Sequence, residues 1–192
     1  MSNSAIAAPT QFLQTSKEKY AYRRFGKKSK YPLLFMQHFT GTLDNWDPAV
    51  TDALAANHDI ILFDNAGVGG STGKVPTTMA GMAEHAAAFL GTLGIETCDV
   101  LGFSLGGVIA QRMALDNSKV FRKMILVGTA PRGGEDIMHL EKPSLAKFLH
   151  DTTLKGYEIM QKIFFLPTDT SQAAGKEFIG RLMQRKQDIG TR

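Results

Sequence analysis

The chain has 192 residues, of which 43% are hydrophobic and 21% are charged, a balance typical of one globular domain with a substantial core. It contains no apolar run of about 18 residues, which argues against a membrane-spanning helix. Its single cysteine, Cys98, excludes an intrachain disulfide and favours the reducing cytoplasm. The net charge is +4 and basic residues are dense between Lys17 and Lys30, but no nucleic-acid-binding motif accompanies them. We therefore interpret them as a solvated surface and predict neither a nucleic-acid partner nor a membrane partner.

Short apolar runs and helical patterns alternate along the first two thirds of the chain. Residues 12–15 and 19–25 are predicted to form two antiparallel strands, because aromatic residues such as Tyr20 and Tyr22 favour extended backbone. Four short, nearly continuous apolar runs follow at residues 32–36, 59–63, 99–101 and 124–127. Such runs are typical of strands that are buried on both faces of a parallel sheet.

Three helices are predicted between these strands. The first begins after Asp47, a good N-cap that is followed by Pro48, and the second carries an apolar stripe from residue 79 to residue 93. The third begins at Ser104. This alternation predicts an α/β fold with a mostly parallel sheet and helices on both faces.

The pattern changes after Gly128, where no further strand–helix pair is recognisable. Helical patterns instead occupy residues 145–149, 157–165 and 176–187. We therefore predict a core over residues 1–130 and a partial helical cap over residues 131–192, with the last strands of the sheet missing. An unfinished sheet exposes a strand edge, so a homo-oligomer is one expected consequence.

A G-x-S-x-G motif at residues 102–106 lies between a predicted strand and a predicted helix. A chain that turns so sharply from strand to helix forces the serine into a strained backbone conformation, and glycines on both sides permit the close crossing. Ser104 would then project beside the helix N-terminus, whose free N–H groups suit a developing oxyanion. The motif alone is weak, because a serine can equally cap a helix at a glycine-rich turn.

Two further segments accompany this motif in a fixed order. The segment H-F-T-G at residues 38–41 follows a predicted strand and precedes Trp46, and a D-N-A-G-V-G-G-S turn occupies residues 64–71. Together with the motif around Ser104, they resemble the α/β-hydrolase fold family over about residues 12–128, and its bacterial esterases, non-haem haloperoxidases and enol-lactonases in particular. Two positions depart from the family pattern: Phe39 stands where glycine is frequent, and Ala66 replaces an arginine.

The resemblance implies a serine hydrolase of small ester, lactone or acyl substrates that needs no metal and no organic cofactor. Ser104 would be the nucleophile, and the backbone N–H groups of Phe39 and Leu105 would hold the oxyanion. We expect His38 to be structural, because it precedes the oxyanion position instead of facing the serine.

Glycine-rich residues 67–74 also suggest nucleotide-binding loops. A phosphate loop would require glycine in place of Val68 and serine or threonine in place of Val75. A dinucleotide-binding fingerprint would require glycine in place of Thr72. Neither requirement is met, so we reject both interpretations.

The base and the acid that would activate the serine are not evident. The family's chain order is serine, then acid, then histidine, whereas His38, His58 and His85 precede Ser104. Weak candidates fall where a cap would begin: Glu135, Asp136, His139 and His150. The simplest interpretation places both groups beyond Arg192. Two functions therefore remain open, a serine hydrolase and a truncated, catalytically silent domain that serves as a binding or oligomerisation module.

Overall fold

A six-stranded sheet forms the centre of the structure. The computed structural model describes residues 4–38, 41–133 and 156–186. The strands in chain order are β1 (Gln11–Gln14), β2 (Lys19–Gly26), β3 (Leu33–Met36), β4 (Asp59–Phe63), β5 (Cys98–Phe103) and β6 (Phe121–Val127). They lie in the order β1-β2-β4-β3-β5-β6, in which β1 pairs antiparallel with β2, β2 pairs antiparallel with β4, and β3 to β6 are parallel. The predicted α/β fold with a mostly parallel sheet is therefore confirmed.

Five α-helices occur in the described part of the chain. They are α1 (Pro48–Ala55), α2 (Met79–Thr92), α3 (Leu105–Asp116), α4 (Tyr157–Phe164) and α5 (Asp169–Leu182). Asp47 caps α1 as predicted, because its carboxylate accepts a hydrogen bond of 2.9 Å from the backbone N–H of Ala49. None of these helices combines the length and the apolar character that crossing a bilayer requires.

Several predicted boundaries were wrong. Strand β5 continues past residue 101 to Phe103, and β6 begins at Phe121 instead of residue 124. Helix α5 begins at Asp169 instead of residue 176, because the hydroxyl of Thr168 caps it by accepting a hydrogen bond from the backbone N–H of Ser171. The helix predicted at residues 145–149 lies outside the described residues.

Apolar side chains fill both faces of the sheet, because successive residues of β3 and β4 point to opposite sides. Leu34 and Ile61 belong to a cluster with residues of α2 and α3. Leu33 and Ile60 belong to a second cluster that includes Ala55 of α1. All four strand side chains are 3% exposed or less, and burial of each stabilises the fold by about 1.5–3 kcal/mol.

Strand β6 lies at the edge of the sheet formed by the described residues. Its side chains Ile125, Leu126 and Val127 are 47%, 45% and 42% exposed, whereas every residue of β4 is buried. Apolar side chains on an exposed strand edge favour pairing with another segment.

Helices α4 and α5, which we call the C-terminal helix pair, are attached to the core by arginines. Arg181 of α5 makes two hydrogen bonds of 2.8 Å to the carboxylate of Asp47. Arg185, just after α5, donates to the carbonyl oxygens of Ala5 at 3.0 Å and Ile6 at 2.6 Å. These contacts hold the helix pair against α1 and the N-terminal segment.

One residue of the basic N-terminal stretch is not solvated as predicted. Arg23 is 1% exposed, and its guanidinium lies 2.7 Å from the carboxylate of Asp44. The guanidinium also donates to the hydroxyl of Thr10 at 3.0 Å. A buried arginine is tolerated only where a paired carboxylate compensates its lost hydration, and this pairing links β2 to the segment before α1.

Candidate active site

The chain turns from strand to helix at a single residue. Strand β5 ends at Phe103 and α3 begins at Leu105, so Ser104 alone makes the turn. Its backbone angles are φ 52° and ψ −120°, and no other non-glycine residue in the described ranges has a positive φ. Such a conformation costs about 1–3 kcal/mol and is characteristic of functional positions.

Glycines on both sides of Ser104 allow this bend. A Cβ atom at Gly102 would lie 2.6 Å from the Cα atom of Gly107, closer than real atoms approach. A Cβ atom at Gly106 would overlap the backbone carbonyl group of Met36 at the end of β3. The strand, the bend and α3 therefore cross at a separation that only glycine permits.

Hydrogen bonds from neighbouring segments fix the backbone of Ser104. Its N–H donates to the carbonyl oxygen of Val127 at 3.0 Å. Its own carbonyl oxygen accepts from the N–H of Gly107 at 3.0 Å and from the hydroxyl of Thr129 at 2.7 Å. The Ser104 side chain makes no capping hydrogen bond, so the alternative role of a helix-capping serine is not supported. Ser104 is half-buried as a residue, and its hydroxyl does not cap the helix.

The predicted oxyanion donors are only partly described. Leu105 is the first residue of α3, so its N–H has no acceptor within the helix. Phe39 lies outside the described residues. The two residues before Phe39 are described. Gln37 is 2% exposed, and its side-chain oxygen accepts a hydrogen bond from the N–H of His38 at 3.0 Å. Met36 at the end of β3 pairs with Gly102 in the parallel register of β3 and β5, so the end of β3 reaches the same edge of the sheet as Ser104.

His38 packs beside the bend. Its ring meets the ring of Phe103 edge-on, with centroids 5.8 Å apart. Burial lowers the pKa of His38, which favours the neutral imidazole at physiological pH. Packing against an aromatic ring agrees with the structural role predicted from the sequence.

The turn at residues 64–71 follows β4 and is tied by hydrogen bonds to β2 and to the segment before α1. The Asp64 carboxylate accepts from the N–H groups of Leu43 at 2.7 Å and Gly70 at 2.8 Å. The Ser71 hydroxyl donates to the carbonyl oxygen of Asp64 at 2.8 Å and accepts from the N–H of Ala21 at 3.0 Å. Burial raises the pKa of Asp64 to about 6, although these N–H groups oppose the shift. The turn thus has the architectural role that the resemblance implies.

An apolar cavity of about 350 Å³ lies next to Phe103. Its core wall includes Trp46, Leu101 and Val127 together with His38. The opposite wall consists of residues of the C-terminal helix pair and the loop within it: Met160, Phe164, Phe165 and Phe178. Ser104 is not itself among the lining residues, but the adjacent Phe103 is. The sequence patterns marked these helices without indicating that they complete a cavity.

No described histidine is arranged as a general base for Ser104. The ring of His85 in α2 shares a hydrogen bond of 2.5 Å with the hydroxyl of Tyr20 in β2. His58 lies in the turn before β4. The weaker candidates Glu135, Asp136, His139 and His150 lie outside the described residues. Within the described ranges there is no group of three or more side chains suited to hold a metal ion.

Comparison with known proteins identifies the family. The profile of the alpha/beta hydrolase fold family matches residues 31–158, which is more than half of the chain. The chain therefore belongs to the α/β-hydrolase family, as the sequence motifs indicated. A solved alpha/beta hydrolase fold protein from Chitinophaga pinensis superimposes with a TM-score of 0.89 and 42% identity over 97% of this chain and 66% of that protein.

Curated relatives point to hydrolytic enzymes. RutD of Serratia proteamaculans, whose name describes a carbamate hydrolase, is 28% identical over 126 residues, covering 65% of this chain and 46% of RutD. The pimeloyl-[acyl-carrier protein] methyl ester esterase of Aeromonas hydrophila is 33% identical over 110 residues, covering 56% of this chain and 41% of the esterase. The chain thus spans less than half the length of these two relatives.

Proposed function

We propose that this chain belongs to a serine hydrolase that acts on small esters, lactones or other acyl compounds, with Ser104 as the nucleophile. The observation that carries the proposal is the positive φ of 52° at Ser104, at the junction of β5 and α3 and next to an apolar cavity. A strained serine whose hydroxyl does not cap its helix is what a nucleophile at this position requires. The esterase among the relatives supports the same reaction class.

The reaction would proceed by acyl transfer to the serine. The Ser104 oxygen forms a bond to the substrate carbonyl carbon while a base removes the hydroxyl proton. The resulting oxyanion accepts hydrogen bonds from the N–H groups of Leu105 and Phe39, and loss of one such donor typically costs about 100- to 1000-fold in rate. The carbon–oxygen bond to the leaving alcohol breaks as the alcohol takes the proton, and water then releases the acid from Ser104. These steps need no metal and no organic cofactor.

We propose that the base and its acid partner lie outside the described ranges and follow Ser104 in the chain, as in the family's order. We further propose that residues 1–130 form the hydrolase core and residues 131–192 contribute part of a helical cap. The position of the C-terminal helix pair over the cavity supports this division. The single cysteine, Cys98, is buried and free, which supports a cytoplasmic location.

Covalent labelling tests the proposal. The 192-residue chain would be treated with a fluorophosphonate probe and assayed with p-nitrophenyl butyrate. We expect labelling of one site, which is abolished in Ser104→Ala and retained in Ser118→Ala, an exposed serine that lies after α3. Labelling that persists in Ser104→Ala would show that another residue is the nucleophile.

The alternative function, a catalytically silent module for binding or oligomerisation, is favoured by one observation. Ile125, Leu126 and Val127 are 42–47% exposed on the edge strand β6. Size-exclusion chromatography with light scattering distinguishes the two. A dimer that does not react with the probe supports the silent module, whereas a reactive monomer contradicts it.

A further inference from the structure

The cavity beside Ser104 is lined almost entirely by hydrocarbon. Four phenylalanines contribute to it, Phe103 from the core and Phe164, Phe165 and Phe178 from the C-terminal helix pair. Trp46 closes the core side. A surface of this kind binds apolar groups through dispersion and the release of water, with no directional requirement.

Two side-chain oxygens of the cavity wall already have partners within the protein, whereas the buried Nε1 of Trp46 has no hydrogen-bond partner among the described residues. The side-chain oxygen of Gln37 accepts from the N–H of His38, and that of Asn45 accepts from the N–H of Thr42 at 2.7 Å. Burial lowers the pKa of His38, so its imidazole is uncharged near neutral pH. The N–H donors of this wall, such as Trp46 Nε1, are neutral and supply no positive charge to a substrate carboxylate.

The charge that the described wall carries is negative. Asp47 lines the cavity, and the described lining residues include no lysine and no arginine. Burial alone would raise the pKa of Asp47, but hydrogen bonds from Arg181 and from the N–H of Ala49 lower it, so the group is ionised. The nearby guanidinium of Arg181 is engaged by both carboxylate oxygens of Asp47, at 2.8 Å each. A substrate carboxylate in the cavity would therefore meet a carboxylate whose cation is already engaged, and no uncommitted cation among the described lining residues.

We infer that this cavity selects esters whose acyl group is uncharged and apolar, and rejects esters whose acyl group ends in a carboxylate. The inference rests on the proposed function, since it assigns the cavity to the acyl group attacked by Ser104. Its physical basis is separate from catalysis: a carboxylate moved from water into this wall loses its hydration and gains no counter-charge.

A binding assay that needs no turnover tests the inference. Trp46 is the single tryptophan of the chain and lines the cavity, so its fluorescence reports occupancy there. Ser104→Ala protein would be titrated at neutral pH with methyl hexanoate and with monomethyl adipate, which differ only in a terminal methyl or carboxylate. We expect saturable binding of methyl hexanoate, at least about tenfold tighter than monomethyl adipate. Equal binding of the two, tighter binding of the adipate ester, or no saturable change with methyl hexanoate would overturn the inference.

A cation placed in the wall should weaken the selectivity. Val50 lines the cavity and is 47% exposed, so a lysine there can be accommodated. In the Ser104→Ala background, Val50→Lys should reduce the preference for methyl hexanoate by about threefold or more, because it supplies a counter-charge. Val75→Lys is the matched control, since Val75 is 48% exposed and does not line the cavity. A change of preference that is equal in both variants would contradict a local effect.

The two proposals fail in different ways. If wild-type protein does not react with the fluorophosphonate but Ser104→Ala protein still prefers methyl hexanoate, the serine hydrolase proposal fails for this chain and the assignment of cavity chemistry stands. If Ser104 is labelled but the two esters bind alike, the serine hydrolase stands and the substrate class is wrong.

Discussion

Replacing Gly106 by alanine should disturb the bend at Ser104 through backbone contacts. The added Cβ atom would overlap the carbonyl group of Met36 and lie 2.8 Å from the carbonyl oxygen of Gln37. Since these are main-chain atoms, they cannot rotate away as a flexible side chain can, so α3 and the end of β3 must move apart. Overpacking of this kind costs about 1–3 kcal/mol, and the higher helix propensity of alanine returns up to about 1 kcal/mol.

The expected net loss of about 1–2 kcal/mol corresponds to a decrease in Tm of about 2–8 °C for a domain of this size. Thermal unfolding followed by far-ultraviolet circular dichroism measures it. Fluorophosphonate labelling of Ser104 should slow by about tenfold or more in the same variant, because the reacting groups are displaced.

The matched control is Gly91→Ala. Gly91 is an exposed helical glycine in the last turn of α2, and a Cβ atom there would meet nothing within 4 Å. Alanine should therefore stabilise this position by about 0.5–1 kcal/mol and leave labelling unchanged. If Gly106→Ala unfolds at the wild-type temperature and Ser104 reacts at the wild-type rate, the close approach of α3 to β3 is not required.

Three further predictions concern buried or shared charges. The pKa of Asp64 is raised by burial to about 6, so its contribution to stability is greatest below about pH 4 and is lost as the pH rises through about 6. Relative to Asp64→Asn, the wild type should lose about 2 kcal/mol of unfolding free energy between about pH 4 and pH 7, as measured by urea titration. Arg23→Met leaves the buried carboxylate of Asp44 poorly compensated and should cost about 3–5 kcal/mol in the same assay. Arg181→Met removes the partner of Asp47 and should speed proteolytic cleavage of the C-terminal helix pair, with a loss of at most about 1 kcal/mol, because Arg181 is 34% exposed.

Controls exist for the last two charge predictions. Arg112 pairs with Asp116 on the surface of α3, where both side chains are more than 40% exposed. Arg112→Met should change the unfolding free energy by less than about 0.5 kcal/mol and should not affect proteolysis of the helix pair.

A wild-type pH dependence that matches that of Asp64→Asn would show that Asp64 does not titrate near pH 6.

Structural features that depend on residues close together in the sequence could be predicted. The run at residues 59–63 is continuous and apolar because β4 lies inside the sheet with both faces covered, and its bounds matched the structure. The cap at Asp47 depends only on the next two residues and was also confirmed. The bend at Ser104 follows from local sterics: a strand, a helix and two glycines leave little other conformation.

Features that depend on partners distant in the chain could not be predicted. Arg23 was assigned to a solvated basic surface, but its partner Asp44 is more than 20 residues away in a different segment, and the pair is buried. The start of α5 was missed because a capping threonine outweighed the apolar spacing used to place the helix. Cavity residues such as Met160 and Phe178 lie on one wall because the helix pair packs over the core, where Arg181 and Arg185 make contacts that have no signature in local sequence.

The elements that position Ser104 are separable from those that would move its proton. The bend costs about 1–3 kcal/mol. Four hydrogen bonds hold its backbone: the N–H of Ser104 donates to Val127, and its carbonyl oxygen accepts from Gly107, Val108 and Thr129. Each contributes about 0.5–1.5 kcal/mol, so together they offset the strain. All of these partners lie in α3, at the end of β6 or just after β6, within residues 105–129. The strained backbone of Ser104 can therefore form without a catalytic histidine or acid. A base next to Ser104 would change the reactivity of its hydroxyl, but it is not needed to establish the backbone geometry of the bend.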